Sequence, residues 1–136
     1  MRMEQIQKAV SKLKEYGPHI ICGDFNALRR ADYPVEEWQR FEQFAAERGW
    51  DPREERVTTC MEGEHGYLDA FARAGEGEAH TFYLPPARIR LRLDFFYASA
   101  RFPARFGLRR CWHGPTAASC HRPVLLELTM ESGPAR

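Results

Sequence analysis

The apolar run in "HIICGDFN" ends in a carboxylate and an amide two positions apart, Asp24 and Asn26. Far along the chain, Asp94 lies inside the apolar stretch "RLDFFYAS", and His121 follows Cys120 in "ASCHRPV". Carboxylate, amide and imidazole together suit phosphoryl transfer. The carboxylate can hold or activate water, the amide can bind a phosphate oxygen, and a charged imidazole can neutralise developing negative charge. An imidazole used this way needs a carboxylate partner to fix its tautomer. Each signal also has an ordinary reading. Gly, Asp and Asn favour bends at strand ends, so "GDFN" alone can be turn chemistry. His121 ahead of Arg122-Pro123 can be a loop histidine. Asp94 is harder to dismiss, because an ionised group within a strand needs a partner unless it faces solvent.

Polar side chains at strand ends converge on one crevice in an α/β sheet, so the surrounding elements decide whether these residues meet. Ile6, Ala9, Val10 and Leu13 recur at three- and four-residue intervals, which predicts an amphipathic helix ended by Gly17-Pro18. His19 to Cys22 then reads as a short strand buried on both faces. A second helix is expected from about Pro34 to Arg48, with Asp32 as candidate N-cap and Trp38, Phe41, Phe44 and Ala45 on its apolar side. "YLDAFARAG" reads as one short helix closed by Gly75, and "AHTFYL" as a strand. In "RIRLRLDFFYAS", Arg90, Arg92 and Asp94 alternate with Leu91, Leu93 and Phe95, the period of one strand. Pro85-Pro86 separates these two strands, and "RPVLLELTM" reads as the last.

The chain has 136 residues, 43% of them hydrophobic and 29% charged, which fits one globular domain and argues against intrinsic disorder. A net charge of +1 supplies no global field for nucleic acid or an anionic membrane. Local charge is uneven: acids dominate from Glu36 to Glu78, and arginines from Arg88 to Arg110, where Asp94 is the one acid. An arginine block without lysine suits bidentate recognition of phosphate, and Arg92 is the residue expected to bind substrate beside Asn26. A solvated strand and loop is the other reading of that block. The aromatics Phe82, Tyr83, Phe96 and Trp112 suit either stacking on nucleic acid or core packing. Cys22, Cys60, Cys111 and Cys120 show no CxxC spacing, and no His/Cys cluster resembles a zinc site. The charged N-terminal segment has no apolar leader and no run approaches membrane-spanning length, so thiols in a reducing cytoplasm are expected.

The order "IICGDFN", "YLDAF", "HTFYL", "RLRLDFFYAS" and "ASCHRPVLLEL" resembles the later half of the endonuclease/exonuclease/phosphatase superfamily. That DNase I-like family includes abasic-site endonucleases, inositol-polyphosphate phosphatases and sphingomyelinases. The GDFN element is specific when followed by an Arg-Ile/Leu-Asp-Tyr/Phe strand and an S-D-H-x-P-V ending. Here these are "RLDFF" from Arg92 to Phe96 and "SCHRPV" from Ser119 to Val124.

The resemblance implies an α/β fold, the C-terminal half of a four-layer αββα sandwich over residues 1–130, with a disordered tail at 131–136. It implies hydrolysis of a phosphodiester or phosphomonoester, nucleic acid among the candidate substrates, with Mg²⁺ or Mn²⁺ as cofactor. Asp24 would orient or deprotonate the attacking water and approach the metal. Asn26 would bind the scissile phosphate, Asp94 would pair with His121, and His121 would stabilise the charged transition state.

Two departures qualify this. The aspartate of S-D-H is Cys120 here, and a thiol is a poor substitute for a hard oxygen ligand. A thiol-nucleophile reading of Cys120 meets the objection that strand neighbours point to opposite faces. The family's earlier half carries an asparagine and the principal metal-binding glutamate, and nothing ahead of the first helix supplies them. A partial or split domain with little activity alone is therefore expected. Its uncovered sheet face would recruit a complementary N-terminal half or self-associate. The alternatives are a catalytically inactive remnant serving as a binding or assembly module, and an unrelated α/β domain.

Overall fold

Val10 is fully buried under the first helix, α1 (Arg2–Leu13), where the three- and four-residue spacing places it. The computed structural model describes residues 2–51, 55–85, 88–102, 106–116 and 118–130. Pro86, Arg105 and the expected tail at 131–136 lie outside the described residues. The fold is mixed α/β. After α1 come β1 (Ile20–Asp24), a 3₁₀ turn at Arg30–Asp32, and α2 (Val35–Glu47). α3 (Arg56–Thr59) runs into a π-helical turn at Cys60–Glu64 and then β2 (Leu68–Asp69), α4 (Ala70–Ala74) and β3 (Gly75–Glu76). Five strands complete the chain: β4 (Phe82–Leu84), β5 (Ile89–Leu91), β6 (Asp94–Ala98), β7 (Phe106–His113) and β8 (Val124–Met130).

The strands form three small sheets. β6 is the middle of an antiparallel sheet between β1 and β2. β7 is the middle of a second, parallel to β3 and antiparallel to β8, with a bulge between Leu108 and Arg110. β4 and β5 pair as a hairpin. α4 packs on both β6 and β7, and so ties the two larger sheets together.

Two apolar clusters fill the interior. Trp38, Phe41 and Ala45 of α2 pack with Leu28, Tyr33, Ile89 and Leu91. Val10, Met61, Tyr67, Phe95 and Tyr97 form the other, with Ile6, Ile21 and Phe25 against it. Arg92 touches both: its backbone N–H donates to Tyr33 Oη at 2.8 Å, and its guanidinium lies 4.3 Å over the Phe95 ring.

Four expectations are corrected. β1 is a sheet edge and not a strand covered on both faces; Cys22, Gly23 and Asp24 are exposed. Asp32 does not cap α2; it sits in the 3₁₀ turn and pairs with Arg29 and Arg92, while Pro34 takes the cap position. "YLDAFARAG" is divided, because Asp69 ends β2 and caps α4 through the N–H groups of Phe71 and Ala72. "RIRLRLDFFYAS" is two strands in different sheets. At the break, the N–H groups of Leu93 and Asp94 donate to Thr81 Oγ1 at 3.0 and 3.3 Å, so a side chain replaces the ladder.

Candidate active site

Gly23 and Asn26 bend the end of β1. Gly23 has φ 147° and Asn26 φ 46°, a region that glycine and asparagine enter more readily than other residues. Phe25 between them turns into the core, edge-on to Phe95 and Tyr97 at 5.7 and 5.2 Å. Its N–H donates to Leu93 O at 2.9 Å, which fastens the bend to the start of β6. Asp24 accepts the Asn26 backbone N–H at 2.8 Å and the Asn26 side-chain amide at 2.9 Å. The pair is an Asx turn whose amide orientation is fixed by the carboxylate.

Asp24 and Asp94 are directly opposed across β1 and β6. Two carboxylates facing each other on adjacent strands repel unless each is compensated. Asp24 is compensated by the two donors of Asn26. Asp94 is compensated by His121, whose Nδ1 lies 2.8 Å from Asp94 Oδ2. An ionised carboxylate only accepts, so the shared proton is on Nδ1 and the contact to Asp94 does not use Nε2. The structure thus brings Asp24, Asn26, Asp94 and His121 together from three distant parts of the chain.

Two residues that position His121 escaped the sequence reading. Arg122 donates its backbone N–H to Thr81 O at 2.7 Å, and its guanidinium donates to Gly114 O, His113 O and Glu78 Oε2. Thr81, fully buried, receives the Leu93 and Asp94 N–H groups on its hydroxyl. Asp94 and the loop carrying His121 are therefore anchored to the same residue. No local pattern marks either role, since both depend on contacts across the fold. Phe82 completes the arrangement, bridged to His121 through the backbone with ring centres 5.0 Å apart.

Asn26, Asp51 and His121 line a pocket of about 520 Å³ together with apolar side chains that include Leu28, Phe82 and Leu93. That is the size and character of a small-molecule site: an apolar cavity with a few convergent polar groups. Asp24 and Asp94 do not line it; each holds a residue that does.

Arg92 is not available to a substrate, which corrects the expectation placed on it. It is 1% exposed; Nε donates to Asp32 at 2.7 Å, and both terminal nitrogens donate to the Asp69 carboxylate. Burial works against its charge, but Asp69 and then Asp32 outweigh it and raise its pKa. Other arginines of the block are also taken by the protein's own acids. Arg90 pairs with Glu78, Arg109 with Glu127, and Arg110 with Glu76. Tyr83 is exposed, whereas Trp112 is covered by the Arg110 guanidinium at 4.4 Å.

By themselves these residues do not make a magnesium site. Asp24 shares its oxygens with Asn26 and keeps only part of its acceptor capacity, one Asp94 oxygen is held by His121, and Cys120 offers an exposed thiol where Mg²⁺ needs hard oxygen. Among the described residues, the group of His, Cys, Asp or Glu side chains close enough to share an ion lies elsewhere, at Cys60, Glu64 and His65. No described helix is long and apolar enough to cross a membrane, and Cys22, Cys60, Cys111 and Cys120 are free thiols. No family model and no curated protein matches this sequence.

Proposed function

We propose that the chain carries the phosphate-binding and proton-handling edge of a metal-dependent phosphoesterase, built as the C-terminal half of a DNase I-like sandwich. The observation that carries this reading is the 2.8 Å contact of Asp94 with His121, set across the sheet from Asp24 and its bound Asn26. Asn26 receives a phosphate oxygen at the pocket mouth. Water attacks phosphorus in line with the departing ester oxygen and gives its proton towards Asp24, whose oxygens retain acceptor capacity beside Asn26. His121, held by Asp94 on Nδ1, acts as the imidazolium and donates its second N–H, on Nε2, to the phosphate as negative charge builds. The P–O bond to the water oxygen forms, the ester P–O bond breaks, and the leaving oxygen takes its proton from solvent water.

Mg²⁺ or Mn²⁺ would need oxygen ligands beyond those on this chain. A complementary N-terminal segment is the proposed source. The apolar pocket wall favours a phosphate ester with an apolar or aromatic group over a long polyanion. The ion pairs of the arginine block point the same way.

The test is a panel of phosphomonoesters, phosphodiesters and nucleic acids with Mg²⁺ and Mn²⁺, run on this chain and on a version joined to a family N-terminal half. The expected outcome is hydrolysis by the joined form that disappears in Asp24→Asn and in His121→Ala. Hydrolysis unaffected by both substitutions would reject the assignment. A folded joined form inert across the panel would favour the inactive binding or assembly module.

A further inference from the structure

At the far end of β6 from Asp94, the π-helical turn Cys60–Glu64 and the following His65 gather a second set of chemical groups. His65 lies beside Ser99 and Ala100, which follow the Ala98 end of β6, whereas Asp94 begins that strand. The ligand atoms of Cys60, Glu64 and His65 all lie within 4.8 Å of one another. In a tetrahedral zinc centre they would stand roughly 3.4–3.6 Å apart, as bond lengths of ~2.0–2.3 Å require.

The backbone explains the gathering. His65 N–H donates to Cys60 O at 3.1 Å, the wide five-residue closure of a π turn. In an α-helix, residues 60 and 65 would be rotated apart by roughly 140°. In the π turn, residues 60, 64 and 65 share one side. Single π turns inside helices occur disproportionately at functional sites.

A second observation is independent of that spacing. Both ring nitrogens of His65 are shielded from solvent and have no hydrogen-bond partner among the described residues. An imidazole nitrogen shut away from water is normally bonded to something, and a metal ion is one partner that would satisfy it. The neighbouring acid Glu62 does not serve, because both its oxygens accept from Arg29 Nε, at 2.9 and 3.1 Å. Glu64 is exposed and gives an ion its way in, while Cys60 is buried and His65 half-buried at a 250 Å³ depression beside Tyr67 and Ser99.

We propose that Cys60, Glu64 and His65 bind a zinc-class divalent cation through thiolate, carboxylate and imidazole. The mixed sulfur, nitrogen and oxygen set selects a borderline metal over Mg²⁺ or Ca²⁺. Three protein ligands leave a fourth position for water. The ion would pin the π turn, and with it Met61, which is fully buried in the cluster around Tyr97. Coordination replaces the Cys60 thiol proton, so binding releases a proton and strengthens as pH rises.

The experiment uses the full chain, stripped with chelator and titrated with Co²⁺ and then Zn²⁺. Expected are one equivalent of Co²⁺, a sulfur-to-cobalt charge-transfer band, the intense d–d absorption of a tetrahedral site, and displacement of both by Zn²⁺. Cys60→Ser should remove the charge-transfer band. His65→Gln, at a half-buried position, should weaken Zn²⁺ by more than the ~10–100-fold that changes around a ligand produce, with the fold intact by circular dichroism. Glu62→Gln should bind as the parent does. Absence of the band in the parent chain would overturn the proposal. So would its persistence in Cys60→Ser, which would assign it to exposed Cys22 or Cys120, or an unchanged Zn²⁺ affinity in folded His65→Gln.

Discussion

Asp69 and Asp94 are carboxylates of the same sheet, on adjacent strands, and the protein treats them in opposite ways. The Asp69 side chain is 1% exposed and accepts from Phe71 N–H, Ala72 N–H and the Arg92 guanidinium, with Arg29 Nε 3.6 Å away. The Asp94 side chain is 18% exposed and holds His121 alone. Around Asp69, Arg92 and Arg29 bind Asp32, Asp69 and Glu62, and so fasten the 3₁₀ turn, the π turn, β2 and the β5–β6 break to one another. Every acceptor there is spent on the protein itself. Around Asp94, one bond holds the imidazole by Nδ1 and does not engage its second nitrogen. Saturation sets the Asp69 cluster apart, and incomplete saturation sets apart the one proposed as reactive, although the side-chain types are the same.

Removing one member from each cluster is the strongest way to break this contrast. Asp69→Ala leaves Arg92 buried without its main counter-charge, and a stability loss of about 3–5 kcal/mol is expected. His121→Ala, at a partly exposed position, should change stability by less than about 1 kcal/mol. Urea unfolding of both variants reads the difference. Equal losses would mean that Asp94 and His121 are held for the fold and not for a reaction. In the joined enzyme, Asp94→Asn should lower kcat by roughly 10–100-fold, because the imidazole keeps its place but loses the carboxylate that orients it. Little change in KM should accompany it, and steady-state kinetics against an aromatic phosphate ester separates the two parameters.

The same contrast governs what the sequence reveals. The helix α1 and the bend at Gly23–Asn26 are legible because their signals are local: apolar spacing in one, and residues that tolerate positive φ in the other. Arg92 is misread because alternation runs unbroken from Arg90 to Phe95, whereas the chain changes sheet at Leu93. The hydroxyls of Tyr33 and Thr81 that permit the change arrive from elsewhere in the sequence. Arg122 is silent for a similar reason, since its partners Gly114 and Glu78 come near only in the folded chain. The grouping of Cys60, Glu64 and His65 has a faint signal, Cys-x-x-x-Glu-His, but α-helical periodicity keeps Glu64 on the face of Cys60 and turns His65 away from it. A π turn reverses that, and no residue pattern announces one here.

Histidine titration sharpens the comparison at smaller amplitude. His113 donates from Nδ1 to Glu78 O at 2.8 Å, stacks on Phe71 at 4.6 Å, and has its Nε2 buried without a partner among the described residues. Burial, followed by the charges of Arg92 and Arg122, holds its pKa below the usual value despite the bond to Glu78. His80 is lowered by burial and then by Arg122. The unfolded chain therefore binds more protons than the folded one below the ordinary histidine value of about 6.5. Stability from these groups is present above that pH and is lost as pH falls from it towards the folded values, with a slope of at most ~1.4 kcal/mol per pH unit per histidine. Urea unfolding between about pH 7.5 and about pH 5.5, values chosen to span about 6.5, should show the decline, and His113→Asn should flatten it. A profile unchanged by that substitution would place the acid sensitivity outside the cluster around Arg92.

The smallest expected effect concerns the residue beside His121. Cys120 is exposed, in the loop that Arg122 clamps. A carboxylate at that position would add a hard oxygen close to the His121 imidazole without entering the core, so Cys120→Asp should leave folding unchanged. In the joined enzyme it should raise Mg²⁺-dependent hydrolysis by up to about tenfold, or ~1.4 kcal/mol of barrier. The gain should appear mainly as a lower Mg²⁺ requirement, since the added oxygen favours the ion and not the substrate. Identical rates for the parent and the Cys120→Asp variant across a magnesium titration would show that the ion does not approach this loop. The metal's oxygens would then have to come wholly from Asp24, substrate and the complementary segment.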